Sequence, residues 1–164
     1  MIAHETIRLN GEEISVTHSD LIVRAKRWLL TVRGCGFVLC ELTSYAGEVP
    51  DAIGWRHNYS ILIECKLTRA DFLSDRKKHS RRDPMLGMGN YRYYLSHPDI
   101  IRESDLPEKW GLLYCCHKNR VCIIRKAQCF DDPVIAQNDR YLLYSALRRV
   151  HLRGDLEKIY EEPR

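Results

Sequence analysis

Two carboxylates and a lysine are spaced so that they could form one charged site. Asp51 is followed, after twelve residues, by Glu64, Cys65 and Lys66, which directly follow the apolar run 61–63. A continuous apolar run of this kind predicts a strand that is buried on both faces. Because side chains alternate along a strand, Glu64 and Lys66 should project from one face and Cys65 from the other. Buried charges are costly unless they are paired or hold a metal, so this arrangement predicts a cation site.

The chemistry that these residues offer is phosphodiester hydrolysis assisted by a divalent metal ion. Mg²⁺ prefers oxygen ligands and keeps several waters, so the carboxylates of Asp51 and Glu64, with the backbone carbonyl of Cys65, would suffice. Such an ion polarises a phosphate and lowers the pKa of a bound water. Lys66 can position or deprotonate that water, or stabilise charge on the phosphate. The alternative is that Glu64 and Lys66 form an exposed pair at a strand end and that Asp51 is a turn residue.

The elements that must position these residues are predicted from apolar periodicity and turn residues. Ser19 can cap a helix that starts with Asp20 and ends at Gly34 or Gly36, and Asn10-Gly11 indicates a turn within a short hairpin. Further helices are predicted over about 69–80, capped by Thr68, and 138–153, capped by Asn138; strands are predicted over 37–43, 51–55, 59–66, 91–95, 111–116 and 121–125, with a hairpin turn at 117–120. This order predicts one α/β domain over residues 1–164, with a mixed sheet flanked by helices.

The motif and its surroundings resemble the PD-(D/E)xK nuclease superfamily. Pro50 precedes the aspartate, an apolar strand leads into Glu64-Cys65-Lys66, and a helix-like segment follows. Within that superfamily the chain is similar, over roughly residues 18–126, to MmcB-type DNA repair proteins and to small phage and bacterial proteins. The segments that carry the resemblance are Thr68–Phe72, Asp75–Lys77, Gly87-Met88-Gly89, Tyr91–Leu95 and Trp110–Leu113.

The resemblance implies a restriction-endonuclease-like core and a Mg²⁺- or Mn²⁺-dependent nuclease that cuts DNA. It implies that Asp51, Glu64 and Lys66 carry the catalysis, and that the carbonyl of Cys65 joins the two carboxylates as a metal ligand. In the resembling proteins a glutamate precedes the aspartate, so Glu41 would be a further catalytic and metal-binding residue; otherwise it is a strand-end carboxylate facing solvent. The resemblance leaves open whether the protein forms a homodimer, and whether it has a protein partner in a repair, recombination or phage DNA-processing complex.

Clustered basic residues predict contacts to the phosphates of DNA. One block covers residues 76–82 and a second lies near residues 148–153, and either block could instead be a solvated helix face. Tyr91, Tyr93 and Tyr94 could stack on unpaired bases, although alternate aromatics on a strand more often belong to a core. The residues expected to bind nucleic acid are Arg76, Lys77, Lys78, Arg81, Arg82 and Arg92.

The composition is that of a globular protein without a membrane span. The chain has 164 residues and a net charge of +4, which permits nucleic-acid binding without demonstrating it. No apolar run reaches the length of about 18 residues that a membrane helix needs, and the N-terminus lacks the pattern of a signal peptide. Seven irregularly spaced cysteines then favour reduced thiols in a cytoplasmic protein.

Two other classes of function stay open at the sequence level. The chain could be a binding or adaptor module that keeps a nuclease fold without cutting, or a nuclease that is active only within a larger complex. A zinc-stabilised interaction domain is the third hypothesis, prompted by Cys115-Cys116-His117 with Cys122 and Cys129. Their spacing fits no standard zinc pattern, because adjacent residues on a strand point to opposite faces.

Overall fold

The structure is a computed structural model that describes residues 4–9, 12–116 and 120–161. At the N-terminus, strands β1 (His4–Leu9) and β2 (Glu12–Thr17) pair antiparallel, as a hairpin requires. The two turn residues of that predicted hairpin, 10 and 11, and residues 117–119 of the second predicted turn lie outside the described residues. Helix α1 (His18–Thr31) follows β2 directly.

A six-stranded mixed sheet forms the centre of the molecule, which confirms the predicted α/β class. The order across the sheet follows the order in the chain, from β3 to β8. The pairs β5–β6 and β6–β7 are parallel, and the other three pairs are antiparallel. The strands are β3 (Phe37–Leu39), β4 (Ala52–Arg56), β5 (Tyr59–Cys65), β6 (Tyr91–Ser96), β7 (Gly111–Cys116) and β8 (Arg120–Arg125).

Helices cover both faces of this sheet, which explains why its central strands β5 and β6 are buried along almost their whole length. Helix α1 buries Leu21, Ala25 and Leu29 in a core shared with one face of β5, β6 and β7. Phe72 and Leu142 belong to a second core on the opposite face. Phe72 lies in α2 (Arg69–Asp75) and Leu142 in α4 (Pro133–Leu152), and the short helix α3 (His79–Arg82) lies between them in the chain. Short 3₁₀ turns occur at 84–86, 103–105 and 156–160.

Several predicted element boundaries were wrong because a better cap lay nearby. The cap of α1 is Thr17 rather than Ser19: its hydroxyl accepts from the Asp20 amide, and the Asp20 carboxylate accepts from the Thr17 amide. Helix α4 begins at Pro133 after Asp132, five residues earlier than predicted, because proline suits the first helical position. The cap predicted at Thr68 is confirmed, since its hydroxyl accepts from the Asp71 amide.

Two predicted elements are shorter than expected near the candidate site. The strand predicted over 37–43 ends at Leu39, and the helix predicted over about 69–80 stops at Asp75. Residues 76–78 form a turn before α3, so the basic block is divided between a turn and a second short helix. The break between α2 and α3 determines which side chains of the basic block point into the protein.

Two further expectations concern the redox state of the cysteines and the lack of a membrane-spanning helix. Cys116 and Cys122 form a disulfide across the β7–β8 hairpin, whereas the sequence favoured reduced thiols at both positions. Cys35, Cys40, Cys65, Cys115 and Cys129 are free. Among the described helices, none is both long and apolar enough to cross a membrane.

Candidate functional site

The carboxyl end of β5 places the predicted charged residues on the face that was expected. Ile61, Ile63 and Cys65 pack into the core beneath α1, and Leu62 packs into the core on the other face. Glu64 shares the face of Leu62 by strand alternation, and only 1% of its surface is exposed. A glutamate buried in this position needs positive charge around it.

Asp51 lies against the backbone of β5 between the two other motif residues. Its carboxylate accepts a hydrogen bond of 2.7 Å from the backbone N–H of Cys65. Strand β4 starts at the next residue, Ala52, which pairs with Ile63 of β5, and this register brings Asp51 level with the strand end. The spacing of twelve residues is therefore the length of the β4–β5 hairpin that returns the chain to the same edge.

Lys66 is buried beside two carboxylates. Its Nζ atom lies 3.2 Å from Glu64 Oε2 and 3.2 Å from Asp75 Oδ1. Burial alone would lower the pKa of Lys66, but the carboxylates of Glu64, Asp75 and Asp51 outweigh it, so that this pKa is raised. The lysine is therefore a positive charge that two carboxylates hold in place.

Asp75, from the end of α2, is the centre of the ion-pair network. Its carboxylate accepts from Arg81 Nε and from the Tyr94 hydroxyl, both at 2.8 Å, and it pairs with Lys66 and Lys78. Burial would raise the pKa of Asp75, but Arg81 and Lys66 outweigh it and lower this pKa well below its usual range. Asp75 thus stays ionised and orients the lysine of the motif.

Arg81 closes the network on the side of α3. Its guanidinium pairs with Glu48 and with Asp75, and Nη2 lies 3.2 Å from Glu64 Oε1. The same group lies over the ring of Trp110, 4.7 Å from its centroid, which is the range of a cation–π contact. Arg81 is therefore held on four sides by the protein.

Glu64 remains short of compensating interactions despite these neighbours. Neither its Oε1 atom nor the facing Nη2 of Arg81 forms a hydrogen bond, although both are buried. Burial, helped by the charges of Asp51 and Asp75, raises the pKa of Glu64 from 4.5 to about 7, against the opposing effect of Arg81 and Lys66. The buried carboxylate would consequently gain from a further cation.

His18, the first residue of α1, adds an imidazole to the edge of the site. Its Nε2 atom lies 3.3 Å from Asp51 Oδ2, and about a third of the side chain is exposed. The hydrogen bond to Asp51 raises the pKa of His18, while burial opposes this shift. His18 and Asp51 are more accessible than the buried Glu64 and Lys66, so they mark where a ligand would reach these two residues.

Glu41 is near the site without being part of the ion-pair cluster. Its backbone N–H donates to the carbonyl of Pro50, which places it beside Asp51. The residue is exposed, lies beyond the end of β3 and has a left-handed backbone with φ of 50°. The prediction that Glu41 ends a strand is wrong, and its carboxylate forms no ion pair with the described residues of the cluster.

The residues expected to bind nucleic acid divide into two groups. Arg76, Lys77, Lys78 and Arg82 are exposed, as that role requires.

Arg81 and Arg92 are corrections to the predicted set, since both are buried. The guanidinium of Arg92 donates to the carbonyls of Gly89 and Pro84 and lies over the ring of Phe130. Burial lowers the pKa of Arg92 to about 10. Arg81 and Arg92 are both engaged inside the protein and are not available to phosphates.

The three tyrosines of β6 also differ in their exposure to solvent. Tyr93 and Tyr94 are buried, and Tyr94 stacks on Trp110 with ring centroids 4.4 Å apart, so these two are core residues. Tyr91 is half-buried and meets Tyr59 edge to face at 5.4 Å. Of the three, Tyr91 is the most exposed.

Four members of the network were not predicted as site residues. Asp75 lies three residues after Phe72, on the buried side of α2, and it begins a segment that carries the resemblance, but neither sign gave it a role in the site. Arg81 looked like part of an exposed basic run, and Glu48 and His18 stand in segments without periodicity. Their roles depend on contacts that only the folded chain creates.

The described residues contain no group of three or more histidine, cysteine, aspartate and glutamate side chains arranged to hold a metal ion. The oxygen atoms at this strand end that could hold a cation are the carboxylates of Asp51 and Glu64 and the backbone carbonyl of Cys65. Sites of this kind rely on water and substrate phosphate for the remaining ligands of Mg²⁺.

Comparisons with known proteins add information on the fold alone. No family model matches the chain, and no curated protein matches it. A solved structure, the SPO1766 protein of unknown function from Silicibacter pomeroyi, is similar with a TM-score of 0.60 and 20% sequence identity. The match covers 88% of this chain and 96% of that one, so the two proteins share the α/β fold over almost their whole length.

Proposed function

We propose that this protein is a metal-dependent nuclease that hydrolyses phosphodiester bonds in DNA in the cytoplasm. The observation that supports the proposal most is the state of Glu64, which is buried, incompletely hydrogen-bonded and raised in pKa to about 7. Asp51 supplies a second carboxylate at the same strand end, against the N–H of Cys65. The PD-(D/E)xK resemblance explains why these residue types would occur together.

The residues present suit a hard divalent cation. Asp51, Glu64 and the backbone carbonyl of Cys65 offer oxygen ligands, which Mg²⁺ and Mn²⁺ prefer. When bound, the ion would polarise the scissile phosphate and lower the pKa of a water molecule. A cation beside Glu64 would also relieve the incomplete compensation of its charge.

The protein's own residues would orient the reactants and balance charge. In hydrolysis, the oxygen of water forms a new bond to phosphorus, the ester bond to one sugar oxygen breaks, and that oxygen takes up a proton. Lys66, which carries a fixed positive charge, would stabilise the extra negative charge on the phosphate in the transition state. Asp75 would be a positioning residue, since it holds the ammonium of Lys66 at 3.2 Å.

A second candidate is a DNA- or protein-binding module that keeps the fold without cutting, or a nuclease that is active only within a complex. The favouring observation is that Lys66 and Arg81 already lie at ion-pair distance from Glu64. A network that balances itself in this way can be a purely structural core, as buried ion pairs often are. Activity would then depend on a partner that opens the network.

The deciding experiment is cleavage of plasmid, single-stranded and branched DNA with Mg²⁺ or Mn²⁺, compared with EDTA. We expect metal-dependent cutting by the wild type, and loss of at least about a hundredfold in Asp51→Asn and Lys66→Met, which remove charges used in the transition state. Asp71→Asn is a matched control, because Asp71 is an exposed carboxylate at the start of α2.

The outcomes separate the two candidates. If the folded wild type cuts no substrate at high concentration with either metal, the autonomous nuclease is ruled out. If cutting persists unchanged in both Asp51→Asn and Lys66→Met, the activity lies at another site or comes from a contaminant.

A further inference from the structure

A basic trough with tyrosines in it lies between α1 and β8, on the sheet face opposite Glu64. Two cavities have volumes of about 430 Å³ and 290 Å³; the first is lined by α1 and the start of β8, and the second by the segments that follow along the chain, together with residues of β5 and β6. Arg24, Arg27 and Thr31 of α1 face Arg120 and Cys122 of β8 in the first. Arg33, just after α1, and residues 123, 126 and 127 line the second.

The charge of this trough is uniformly positive. Among the described residues that line the two cavities, none is acidic. Arg27, Arg120 and Lys126 are exposed, so their charges are available to a ligand. The cations that line the trough are Arg24, Arg27, Arg33, Arg120 and Lys126.

Aromatic rings form part of the second cavity, which distinguishes the trough from a solvated basic helix face. Tyr59, Tyr91 and Tyr93 all line it, and the first two meet edge to face. Arg33 lines the same cavity, and its Nε atom is buried without a hydrogen-bond partner in the described part of the chain. A ligand with flat rings and hydrogen-bond acceptors would satisfy both features.

We propose that this trough binds single-stranded nucleic acid, with phosphates along the arginines and an unpaired base against the tyrosines. Grooves that combine a line of positive charge with aromatic side chains are the usual solution for binding single strands. β8 has six residues, so the trough is about 20 Å long, which is enough for a few nucleotides. An acidic peptide would use the cations and leave the tyrosines without a role.

The site is separate from the candidate metal centre, so the inference does not depend on the proposed function. Tyr59 starts β5 and Glu64 lies near its end, five residues further, which corresponds to about 17 Å along the strand. Their side chains also point to opposite faces of the sheet. Binding in the trough can therefore be measured without metal, while cutting is prevented.

The test measures the affinity of a fluorescent oligothymidylate by anisotropy in EDTA, over a series of salt concentrations. Neutralising three phosphate contacts contributes about 2 to the slope of log affinity against log salt, at about 0.7 per contact for single strands. We expect the exposed triple variant Arg27→Glu/Arg120→Glu/Lys126→Glu to lose that slope and at least tenfold in affinity. The matched control is Arg102→Glu/Arg140→Glu/Lys158→Glu, three exposed residues that lie outside the trough and outside both basic blocks, with the same change in net charge.

The role of the bases is tested at Tyr91. We expect Tyr91→Leu to weaken binding roughly 5- to 100-fold, the range that loss of one stacked base produces, and Tyr91→Phe to bind like the wild type. Oligouridylate and a duplex are measured in parallel to distinguish RNA from DNA and single strands from double strands. Circular dichroism confirms that each variant is folded.

Three results would overturn the inference. The trough variant and the control variant outside the trough could lose the same affinity, which would mean nonspecific attraction. Polyglutamate could compete as well as the oligonucleotide, which would point to an acidic peptide. Duplex could bind as tightly as single strand with no effect of Tyr91→Leu, which would exclude base contacts. Loss of binding in the trough variant would support the inference even if the wild type cuts no DNA.

Discussion

The pH dependence of stability offers a quantitative test of how Glu64 is held. The pKa of its buried carboxyl is raised from 4.5 to about 7, chiefly by burial. The folded protein therefore holds a proton that the unfolded chain releases above pH 4.5. Because the unfolded state binds fewer protons in this range, stability falls as the pH rises from about 4.5 to about 7.

The size of this effect follows from the displacement of the pKa. Each pH unit between the folded and unfolded values contributes about 1.4 kcal/mol, so the span from 4.5 to about 7 corresponds to about 3 kcal/mol. The pKa of Asp75 is lowered, and its stabilisation is present above its ordinary value of 3.8 and lost at lower pH. The window between pH 5 and 7 is consequently governed by Glu64 and by histidines.

The assay compares the free energy of unfolding of the wild type and of Glu64→Gln, in EDTA, by urea denaturation across this window. His18, whose pKa is raised, contributes stability that is present below 6.5 and lost as the pH rises through its folded value. That contribution occurs in both proteins and largely cancels in the difference. We expect the stability of the wild type relative to Glu64→Gln to fall by about 3 kcal/mol from pH 4.5 to 7.5.

Parallel stability profiles for the two proteins would refute the reasoning, since they would mean that Glu64 titrates alike in the folded and unfolded chains. Glu108→Gln is the control for a loss of one negative charge, because Glu108 is exposed. A fall of the same size between wild type and Glu108→Gln would show that net charge, rather than burial of one carboxyl, causes the effect.

Four further predictions concern the site and its supports. Mg²⁺ at about ten times its dissociation constant should stabilise the wild type by about 1.4 kcal/mol in thermal unfolding, and Asp51→Asn should lose this gain. Asp75→Asn should cost about 3–5 kcal/mol in urea denaturation, because it leaves two buried cations underpaired. Arg92→Met should cost roughly 2–4 kcal/mol by the same assay, since it leaves two carbonyls without their donor. Gly89→Ala should lower the free energy of unfolding by roughly 1–3 kcal/mol, because φ is +83° and a Cβ would lie 2.7 Å from that of Leu62. If any of these variants keeps the stability or the Mg²⁺ effect of the wild type, the interaction on which its prediction rests is contradicted.

Much of the fold could be predicted because periodicity and strand alternation act locally. The run 61–63 predicted a buried strand, and the alternation after it placed Glu64 opposite to Cys65, as the structure has it. The β4–β5 hairpin followed from the short polar segment between two apolar runs. These features need no knowledge of distant parts of the chain.

The charge network could not be predicted, because its members come from separate segments. A basic run such as 76–82 has the same composition whether it covers a helix face or turns inward. The chain breaks the helix after Asp75, and this break turns Arg81 into the protein, where it meets Glu48, thirty-three residues away in sequence. Sequence reasoning treated the whole run as exposed and missed the burial of Arg81.

The positions of Glu41 and His18 show the same limit on a smaller scale. Glu41 was placed on a strand by its apolar neighbours, but β3 ends two residues earlier and the backbone turns at a positive φ. His18 was overlooked because no pattern marks it, yet the start of α1 brings its imidazole to 3.3 Å from Asp51. In both cases the position of the side chain depends on where an element begins or ends, and those boundaries are the part of an element that sequence predicts least well.

The measurement that tests the central claim most directly is DNA cleavage in ¹⁸O-labelled water with Mn²⁺. The account predicts that each cut places one labelled oxygen on the terminal phosphate of the product, and that EDTA or Asp51→Asn abolishes the product. Absence of cleavage by the folded wild type, or labelled product formed equally by Asp51→Asn, would contradict the assignment of hydrolysis to Asp51, Glu64 and Lys66.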